Sequence, residues 1–165
     1  MPWPERKASF PPVWDARTRV LVLGSLPGEM SLARGQYYAH PQNQFWRLIG
    51  AVIGADLASL GYEAKLARLL AAGVGLWDVI ATAERAGSLD GAIRAHRPNA
   101  LAELAAGLPQ LRAIGFNGGT SLRIGRRALG EAGGLGLIAL PSSSPAFTRP
   151  FEMKLKAWMG LRPFL

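Results

Sequence analysis

The sequence predicts an α/β fold, a three-layer α/β/α sandwich around a short, mainly parallel four-stranded sheet. Short apolar runs alternate along the chain with segments of helical periodicity, which favours strands joined by crossover helices. The apolar runs are continuous, as in strands that are buried on both faces of a parallel sheet. The length of 165 residues is typical of one domain, so residues 1–165 are expected to form a single unit.

Four strands are predicted, and each is a short apolar run. The first reads RVLVLG, covers residues 19–24 and ends in a glycine. The others are expected at 75–80, 110–116 and 136–140. Ligands bind beyond the carboxyl ends of parallel strands, so the loops that follow these four strands are the candidates for a functional site.

Five helices are predicted, and the first, at 44–53, carries apolar residues on one face. Residues 1–18 contain four prolines and are expected to form an extended arm, and residues 25–42 are expected to be a loop. Asn99 follows a proline and is the expected N-cap of the third helix. The remaining helices are expected at 64–72, 99–106, 121–132 and 151–161.

The charge of the chain is strongly positive. It has 19 Lys and Arg against 11 Asp and Glu, a net charge of +8 and an isoelectric point of about 10.8. A domain this basic is typical of proteins that bind nucleic acid or another polyanion. The alternative is that a GC-rich coding sequence gives an Arg-, Ala- and Gly-rich composition without any such partner.

Missing and rare residue types exclude several kinds of chemistry. The chain has no cysteine, which excludes disulfides, thiolate metal sites and a cysteine nucleophile. It has two histidines, so a histidine-rich metal site is not expected. No metal and no cofactor are expected. No apolar run reaches the roughly 18 residues of a membrane-spanning helix, and no secretory signal is visible. We therefore expect a cytoplasmic monomer.

The loop after the first strand reads GSLPG. Gly24 and Gly28 permit close approach of the backbone to a ligand, and Pro27 stiffens the turn. Backbone N–H groups around Ser25 and Leu26 could donate to an anion or a carbonyl. The spacing matches neither a P-loop, nor a dinucleotide fingerprint, nor a nucleophile elbow, so an ordinary turn is an alternative.

The segment YAHPQN, just before the first helix, brings together an aromatic ring, an imidazole and a carboxamide. Tyr38 either stacks on a planar base or packs in the core with its hydroxyl group hydrogen-bonded. Asn43 either caps the helix or orients a water molecule or a substrate edge. His40 is expected to be a structural hydrogen-bonding group.

Polar residues also mark the other strand ends. Asp78 lies inside the apolar run LWDVI, and a buried carboxylate needs partners, so it either caps backbone N–H groups or faces a site. Asn117, in FNGG, either points into a cleft or caps the following helix. The loop LPSSSPAFTRP is either a cluster of turns or an element that enters a groove of DNA. Its candidate DNA contacts, with the residues after it, are Ser142, Ser143, Ser144, Pro145, Ala146, Arg149 and Lys154.

Taken in order, these segments resemble the uracil-DNA glycosylase superfamily. GSLPG resembles its first motif, YAHPQNQFW the segment after that motif, and GVGLWDVIAT the strand that reads the base. FNGG and LPSSSPA resemble a later strand end and the second motif. The resemblance is closest to the mismatch-specific and the hypoxanthine-DNA glycosylase branches.

Departures from the family pattern indicate the branch. Leu26 and Leu140 stand where the resemblance leads one to expect polar residues. The hypoxanthine branch of the family lacks the polar residue at the position of Leu26. It uses an asparagine further along the chain, which matches Asn43. Asn117 matches a second asparagine that is implied in the activity of that branch. Asp78 replaces an asparagine that reads uracil, and it could accept a base N–H.

The resemblance implies a monofunctional glycosylase that flips a deaminated base, hypoxanthine or uracil, out of damaged or mismatched duplex DNA. It implies that Asn43 positions the attacking water and that Tyr38 stacks on the base. The base edge would be held by Asp78, Asn117 and the backbone of 24–28, and residues 142–146 would enter the minor groove. Two alternatives are a catalytically silent DNA-binding protein and a hydrolase of free nucleosides or nucleotides.

Overall fold

The computed structural model describes residues 6–165 and confirms the predicted fold class. Four parallel strands form a sheet in the order β3-β2-β6-β7, and a second, antiparallel sheet has the order β1-β4-β5. The strands are β1 Arg6–Ala8, β2 Val20–Gly24, β3 Val74–Asp78, β4 Ile80–Glu84, β5 Arg94–Pro98, β6 Ala113–Asn117 and β7 Gly136–Leu140. The helices are α1 Glu29–Arg34, α2 Phe45–Ile53, α3 Tyr62–Ala71, α4 Leu101–Ala106, α5 Gly119–Leu129 and α6 Phe151–Trp158, with 3-10 turns at Asp90–Ala92 and Met159–Phe164.

The parallel sheet separates two hydrophobic cores. Val20 and Val22 of β2 pack with residues of α2, α3 and α6 on one face. Leu21 and Leu23 pack with residues of α4 and α5 on the other face. Alternate residues of a strand point to opposite faces, so a continuous apolar strand serves both cores. This explains why β2 is fully buried.

The register of the sheet brings the strand ends together. Gly24 of β2 pairs with Asp78 of β3, and Asn117 of β6 pairs with Leu140 of β7. The four loops that follow these residues therefore start at one edge of the sheet, as expected for a parallel arrangement. No helix within residues 6–165 is long and apolar enough to cross a membrane.

The antiparallel sheet was not predicted, and several boundaries differ. The predicted strand 75–80 ends at Asp78, and the chain then enters β4. The expected loop 25–42 contains the short helix α1. Asn99 does not cap α4, because the N-cap residue is Ala100 and no side chain caps the helix. The Nδ2 of Asn99 instead donates to the Asp78 backbone carbonyl at 2.7 Å and to Ser9 Oγ at 3.0 Å.

The N-terminal arm packs on the sheets through backbone pairing. Residues of β1 pair antiparallel with β4, and Val13 forms a bridge with Leu76 of β3. The Trp77 indole N–H donates to the carbonyl of Phe10 at 3.0 Å. Residues 1–5 of the predicted arm lie outside the described residues.

The contact between α5 and the sheet gives a stability prediction. A Cβ at Gly125 would lie 2.5 Å from Phe116 Cε1 and 2.9 Å from Val79 Cγ1. We expect Gly125→Ala to lower the free energy of unfolding by about 1–3 kcal/mol, because the buried neighbours must move. Urea unfolding measures the effect. Gly119→Ala, also in α5, is the control, because a Cβ there meets nothing within 4 Å. Equal stability of the two variants would contradict the tight contact.

Candidate active site

A cavity of about 610 Å³ lies at the carboxyl edge of the parallel sheet. It is bounded by the segments after β2, β4 and β7 and by the end residues of β3 and β6, and it brings together nearly all the candidate residues. Those that line it are Gly24, Ser25, Leu26, Pro27, Gly28, Tyr38, Asn43, Asp78, Asn117, Ser142, Ser143, Ser144, Pro145 and Ala146. Arg149 and Lys154 are the two candidates outside the lining.

Asp78 is the buried carboxyl group of this cavity. Its residue is 3% exposed, and its Oδ2 has no hydrogen-bond partner within the described part of the chain. Burial, together with the nearby negative charge of Asp90, raises the pKa of Asp78 to about 7, and the positive charge of Arg85 opposes the rise only in part. Of the two alternatives for Asp78, capping or facing a site, its geometry favours the second.

Gly24 is required by the close approach of the groups around it. A Cβ at this position would lie 2.5 Å from Asp78 Oδ1 and 2.9 Å from the Tyr38 hydroxyl oxygen. No side chain larger than hydrogen fits there without moving both groups. The end of β2 thus leaves room for the Asp78 carboxyl group and the Tyr38 hydroxyl group on either side of the missing Cβ.

The loop after β2 is held by hydrogen bonds to its carbonyl and hydroxyl groups, whereas several of its backbone N–H groups have no acceptor within the described residues. The Arg85 guanidinium donates to the carbonyls of Leu26 and Pro27. The Ser25 hydroxyl donates to Asp90 Oδ1 at 2.7 Å. Within residues 6–165, the backbone N–H groups of Ser25, Leu26 and Gly28 donate to no acceptor. The loop therefore presents N–H donors at the cavity, whereas the Leu26 side chain is buried in the core.

Tyr38 packs in the core, as one of its two alternatives predicted, and it also lines the cavity. One ring face stacks on Phe45, with a centroid distance of 3.9 Å and an interplanar angle of 18°. The hydroxyl oxygen accepts a hydrogen bond from Asn117 Nδ2 at 3.2 Å. Its φ of 52° is a strained value for a non-glycine residue, and the indole N–H of Trp46 donates to its carbonyl at 3.1 Å. Packing thus fixes a tyrosine that also lines the cavity.

Asn117 and Ser143 form a two-bond clamp between β6 and the loop after β7. Asn117 Nδ2 donates to Ser143 Oγ at 2.9 Å, and the Ser143 backbone N–H donates to Asn117 Oδ1 at 2.9 Å. With the bond to Tyr38, every strong hydrogen-bonding group of the Asn117 side chain is engaged. Asn117 therefore holds the walls of the cavity in position.

Asn43 supports the start of a helix, as one of its two alternatives predicted, and it also lines the cavity. Its Oδ1 accepts the backbone N–H of Phe45 at 3.0 Å, which supports the start of α2. Its Nδ2 has no hydrogen-bond partner within the described residues, and the residue lines the cavity. The contact with α2 fixes the carboxamide group, and its amino group stays available to a ligand in the cavity.

The loop after β7 is a series of tight turns with an exposed tip. Ser142 Oγ accepts the N–H of Ser144 at 3.1 Å, and Ser144 Oγ accepts the N–H of Ala146 at 3.1 Å. Residues 145–150 are exposed. The loop is thus the cluster of turns that one alternative predicted, and entry of its exposed tip into a groove of DNA stays a prediction.

Lys154 does not have the exposed ammonium group expected of a DNA contact. The residue is 1% exposed, and its Nζ donates to the Ser144 carbonyl at 3.4 Å. The Phe147 ring lies 5.4 Å from the same nitrogen, and burial lowers the pKa of Lys154. Its position on α6 places it beneath the loop, which it supports. Arg149 is exposed.

Sequence reasoning missed the segment between β4 and β5. Ser88, Leu89 and Asp90 line the cavity, and Arg85 lies buried behind the first loop. The only local signal was the stretch RAGSLD, in which Arg85 and Asp90 stand at the two ends of an uncharged segment. No cluster of three metal-ligating side chains occurs in the part of the chain that the structure describes.

Comparisons with known proteins give matches over nearly the whole chain. The family model of the uracil DNA glycosylase superfamily matches residues 11–162. A Methanosarcina barkeri protein named hypoxanthine DNA glycosylase is 39% identical over 153 residues, which is 93% of this chain and 96% of that protein. A protein of the same name from Methanosarcina acetivorans is 40% identical over 158 residues, 92% of this chain and 95% of its own.

A solved structure has the same fold. A solution NMR structure from Methanosarcina acetivorans, provisionally described as a uracil DNA glycosylase, superposes with a TM-score of 0.86 at 38% identity. The match covers 97% of this chain and 99% of that one.

The raised pKa of Asp78 predicts a pH-dependent stability. The folded protein holds a proton on Asp78 up to about pH 7, whereas the unfolded chain loses it near its ordinary value of 3.8. The cost of Asp78 to stability therefore grows as the pH rises from about 4 to 7 and reaches roughly 4 kcal/mol. Asp78→Asn removes this cost, so its stability relative to the wild type should increase across that window.

Urea unfolding between pH 4 and 8.5 measures the difference. Asp56→Asn is the control, because Asp56 is exposed and does not line the cavity. A stability difference between Asp78→Asn and wild type that stays constant with pH would contradict a buried, neutral carboxyl group.

Proposed function

Because the chain belongs to the uracil DNA glycosylase superfamily and is a DNA glycosylase, we propose that it removes hypoxanthine from duplex DNA by hydrolysis. The motifs in the sequence predicted this family, and the comparisons confirm it. The name of the two Methanosarcina relatives supports hypoxanthine as the base.

The observation that carries the proposal is an orphaned carboxyl group beside unpaired backbone donors. Hypoxanthine presents an N1–H next to its C6 carbonyl, whereas adenine presents a ring nitrogen next to an amino group. Backbone N–H groups at Ser25 and Leu26 donate to a carbonyl but do not accept from an amino group. Asp78 supplies the acceptor for N1–H. This set of groups favours a deaminated base over adenine.

The neutral form of Asp78 suits the reaction better than the ionised form. When the bond between C1′ and N9 breaks, its electron pair passes to the base, and negative charge builds up on the ring and on O6. An ionised carboxylate next to the ring would oppose that charge. A neutral carboxyl group donates its proton to O6 while it accepts N1–H, and this interaction strengthens as the charge develops.

Asn43 is the residue that we propose positions the attacking water. Leu26 and Leu140, at the two positions where family resemblance suggests polar side chains, are buried in the apolar cores. A carboxamide does not take up a proton at neutral pH, so Asn43 orients the water towards an oxocarbenium-like C1′. Within residues 6–165 no lysine lines the cavity, which supports hydrolysis over a Schiff-base route.

The remaining candidates hold the base and the DNA. Tyr38 stacks on the base, and Asn117 acts by fixing Tyr38 and Ser143. The turns at 142–146 enter the minor groove, and Arg149 contacts phosphate. The net charge of +8 supports attraction to the duplex.

Labelled duplexes that contain inosine, uracil, xanthine or only normal pairs test the proposed substrate. After incubation, alkali cleaves the abasic sites, and we expect cleavage at inosine and none in the normal duplex. If the protein releases uracil alone, its substrate is uracil and not hypoxanthine. Binding of every lesion duplex without release of any base would identify a catalytically silent protein.

Replacement of Asn43 tests the water-positioning role. We expect Asn43→Ala to lower the rate of inosine excision by roughly a hundredfold or more, with little change in DNA affinity. Gln42→Ala is the matched control, because it removes a neighbouring carboxamide that does not line the cavity. If the two variants excise at the same rate, Asn43 only supports the start of α2.

The pH dependence of excision tests the protonation state of Asp78. At protein concentrations well below saturation, where the rate reports the free protein, wild-type excision should fall as the pH rises through about 7, because the neutral carboxyl group is lost. Asp78→Asn keeps one donor and one acceptor without a titration, so its single-turnover rate should stay level over the same range. A fall of equal steepness in both proteins would assign the titration to another group.

A further inference from the structure

Two large apolar side chains are exposed at the mouth of the cavity. Leu89 is 63% exposed and Phe147 is 40% exposed, and both line the cavity. They come from two different segments, because Leu89 lies between β4 and β5 in a segment that is hydrogen-bonded to residues 25–29, whereas Phe147 lies in the loop after β7. Single exposed apolar residues are ordinary, but two around one opening indicate a contact surface.

Leu89 is presented by a segment that is fixed on both sides. Ser88 Oγ accepts the backbone N–H of Glu29 at 2.9 Å, and Asp90 Oδ1 accepts the Ser25 hydroxyl at 2.7 Å. Gly87, one residue further back, accepts hydrogen bonds from Lys7 Nζ at 2.6 Å and from Arg85 Nε at 2.9 Å. The exposed leucine therefore projects from a rigid support, which lowers the entropic cost of inserting it into a partner.

The strand after this turn is basic and lies at the edge of its sheet. All residues of β5, which reads RAHRP, are exposed. Within residues 6–165, neither Arg94 nor Arg97 forms an ion pair. An apolar tip followed by unpaired cations is the combination with which proteins wedge into stacked bases while they contact the phosphates.

We propose that residues 85–97, named here the hairpin lip, are a second DNA-contacting element beside the loop after β7. Leu89 enters the duplex next to the lesion and helps to displace the base, and Arg94 and Arg97 contact backbone phosphates. This inference rests on the proposed function, because it assigns the DNA contacts of the same cavity. We therefore expect the hairpin lip to contribute most to excision when the target base is still paired.

The role of Leu89 is tested with inosine in a fully paired duplex and with inosine in an unpaired bubble. An unpaired base costs less to extrude, so Leu89→Ala should lower excision from the paired duplex by about tenfold and leave the bubble nearly unaffected. Met153→Ala is the matched control, because Met153 is exposed but does not line the cavity. An equal loss on both substrates, or no loss on either, would overturn the wedge role.

A second readout does not depend on excision. A 2-aminopurine next to the inosine gains fluorescence when its stacking is disrupted, and this gain on binding should be smaller with Leu89→Ala than with Met153→Ala. Equal gains would overturn the inference. If the wild type disrupts stacking but excises no base, the proposed function fails while the lip remains supported.

The salt dependence of duplex binding tests the two arginines. Arg94→Ala and Arg97→Ala should each reduce the slope of log affinity against log salt concentration by about one. Arg127→Ala is the control, because Arg127 is exposed in the last turn of α5, a helix that runs back from the cavity edge. If the slopes for Arg94→Ala and Arg97→Ala match the slope for Arg127→Ala, β5 does not contact the DNA.

Discussion

A carboxyl group buried without a partner at the end of β3 is the constraint around which the cavity is built. Asp78 is nearly inaccessible, and its Oδ2 makes no hydrogen bond within the described residues. Such a group weakens a fold unless it stays neutral or finds a ligand. Gly24 leaves the space that Asp78 occupies, and Asp90 adds the negative charge that disfavours its ionisation. The burial of Asp78 beside Gly24 and the nearby charge of Asp90 therefore both favour the neutral form of the Asp78 carboxyl group.

The walls around this acid are held by hydrogen bonds from outside the cavity. On one side Arg85 fixes the first loop through its carbonyls, which leaves the backbone N–H groups free. On the other side Asn117 binds Ser143, and the Ser143 carbonyl accepts the backbone N–H of Gln44 at 3.0 Å. The donors and acceptors of the cavity are thus set before a base arrives, as electrostatic stabilisation of a leaving group requires.

The sequence was sufficient for the parallel sheet and for most of the cavity. Strands such as β2 are continuous apolar runs whose burial on both faces produces a clear pattern. For β7, an apolar run that is only partly buried, the predicted bounds 136–140 are those observed. By contrast, β5 is a charged, exposed edge strand that exists only through its pairing with β4, so local propensity gave no signal for it. The helix α1 has only 6 residues, too few for a periodic pattern.

Residue roles that depend on long-range contacts were the hardest to predict. The burial of Arg85 follows from its contacts with a loop 58 and 59 residues away, which no local motif reveals. Lys154 lies next to exposed residues in the sequence, but the packing of α6 turns it beneath the loop. For Asn43 and Tyr38 the structural alternative is confirmed, and because both residues also line the cavity, their roles towards a ligand stay predictions.

The most direct measurement is a carbon-13 NMR titration of the Asp78 carboxyl carbon, in the free protein and bound to a duplex with a non-hydrolysable 2′-fluoro inosine. A neutral acid paired with the N1–H and O6 of the base predicts a midpoint near 7 in the free protein and a higher midpoint in the complex. A free-protein midpoint near the ordinary value of 3.8, or a midpoint that falls on binding, would show that Asp78 acts as an anion.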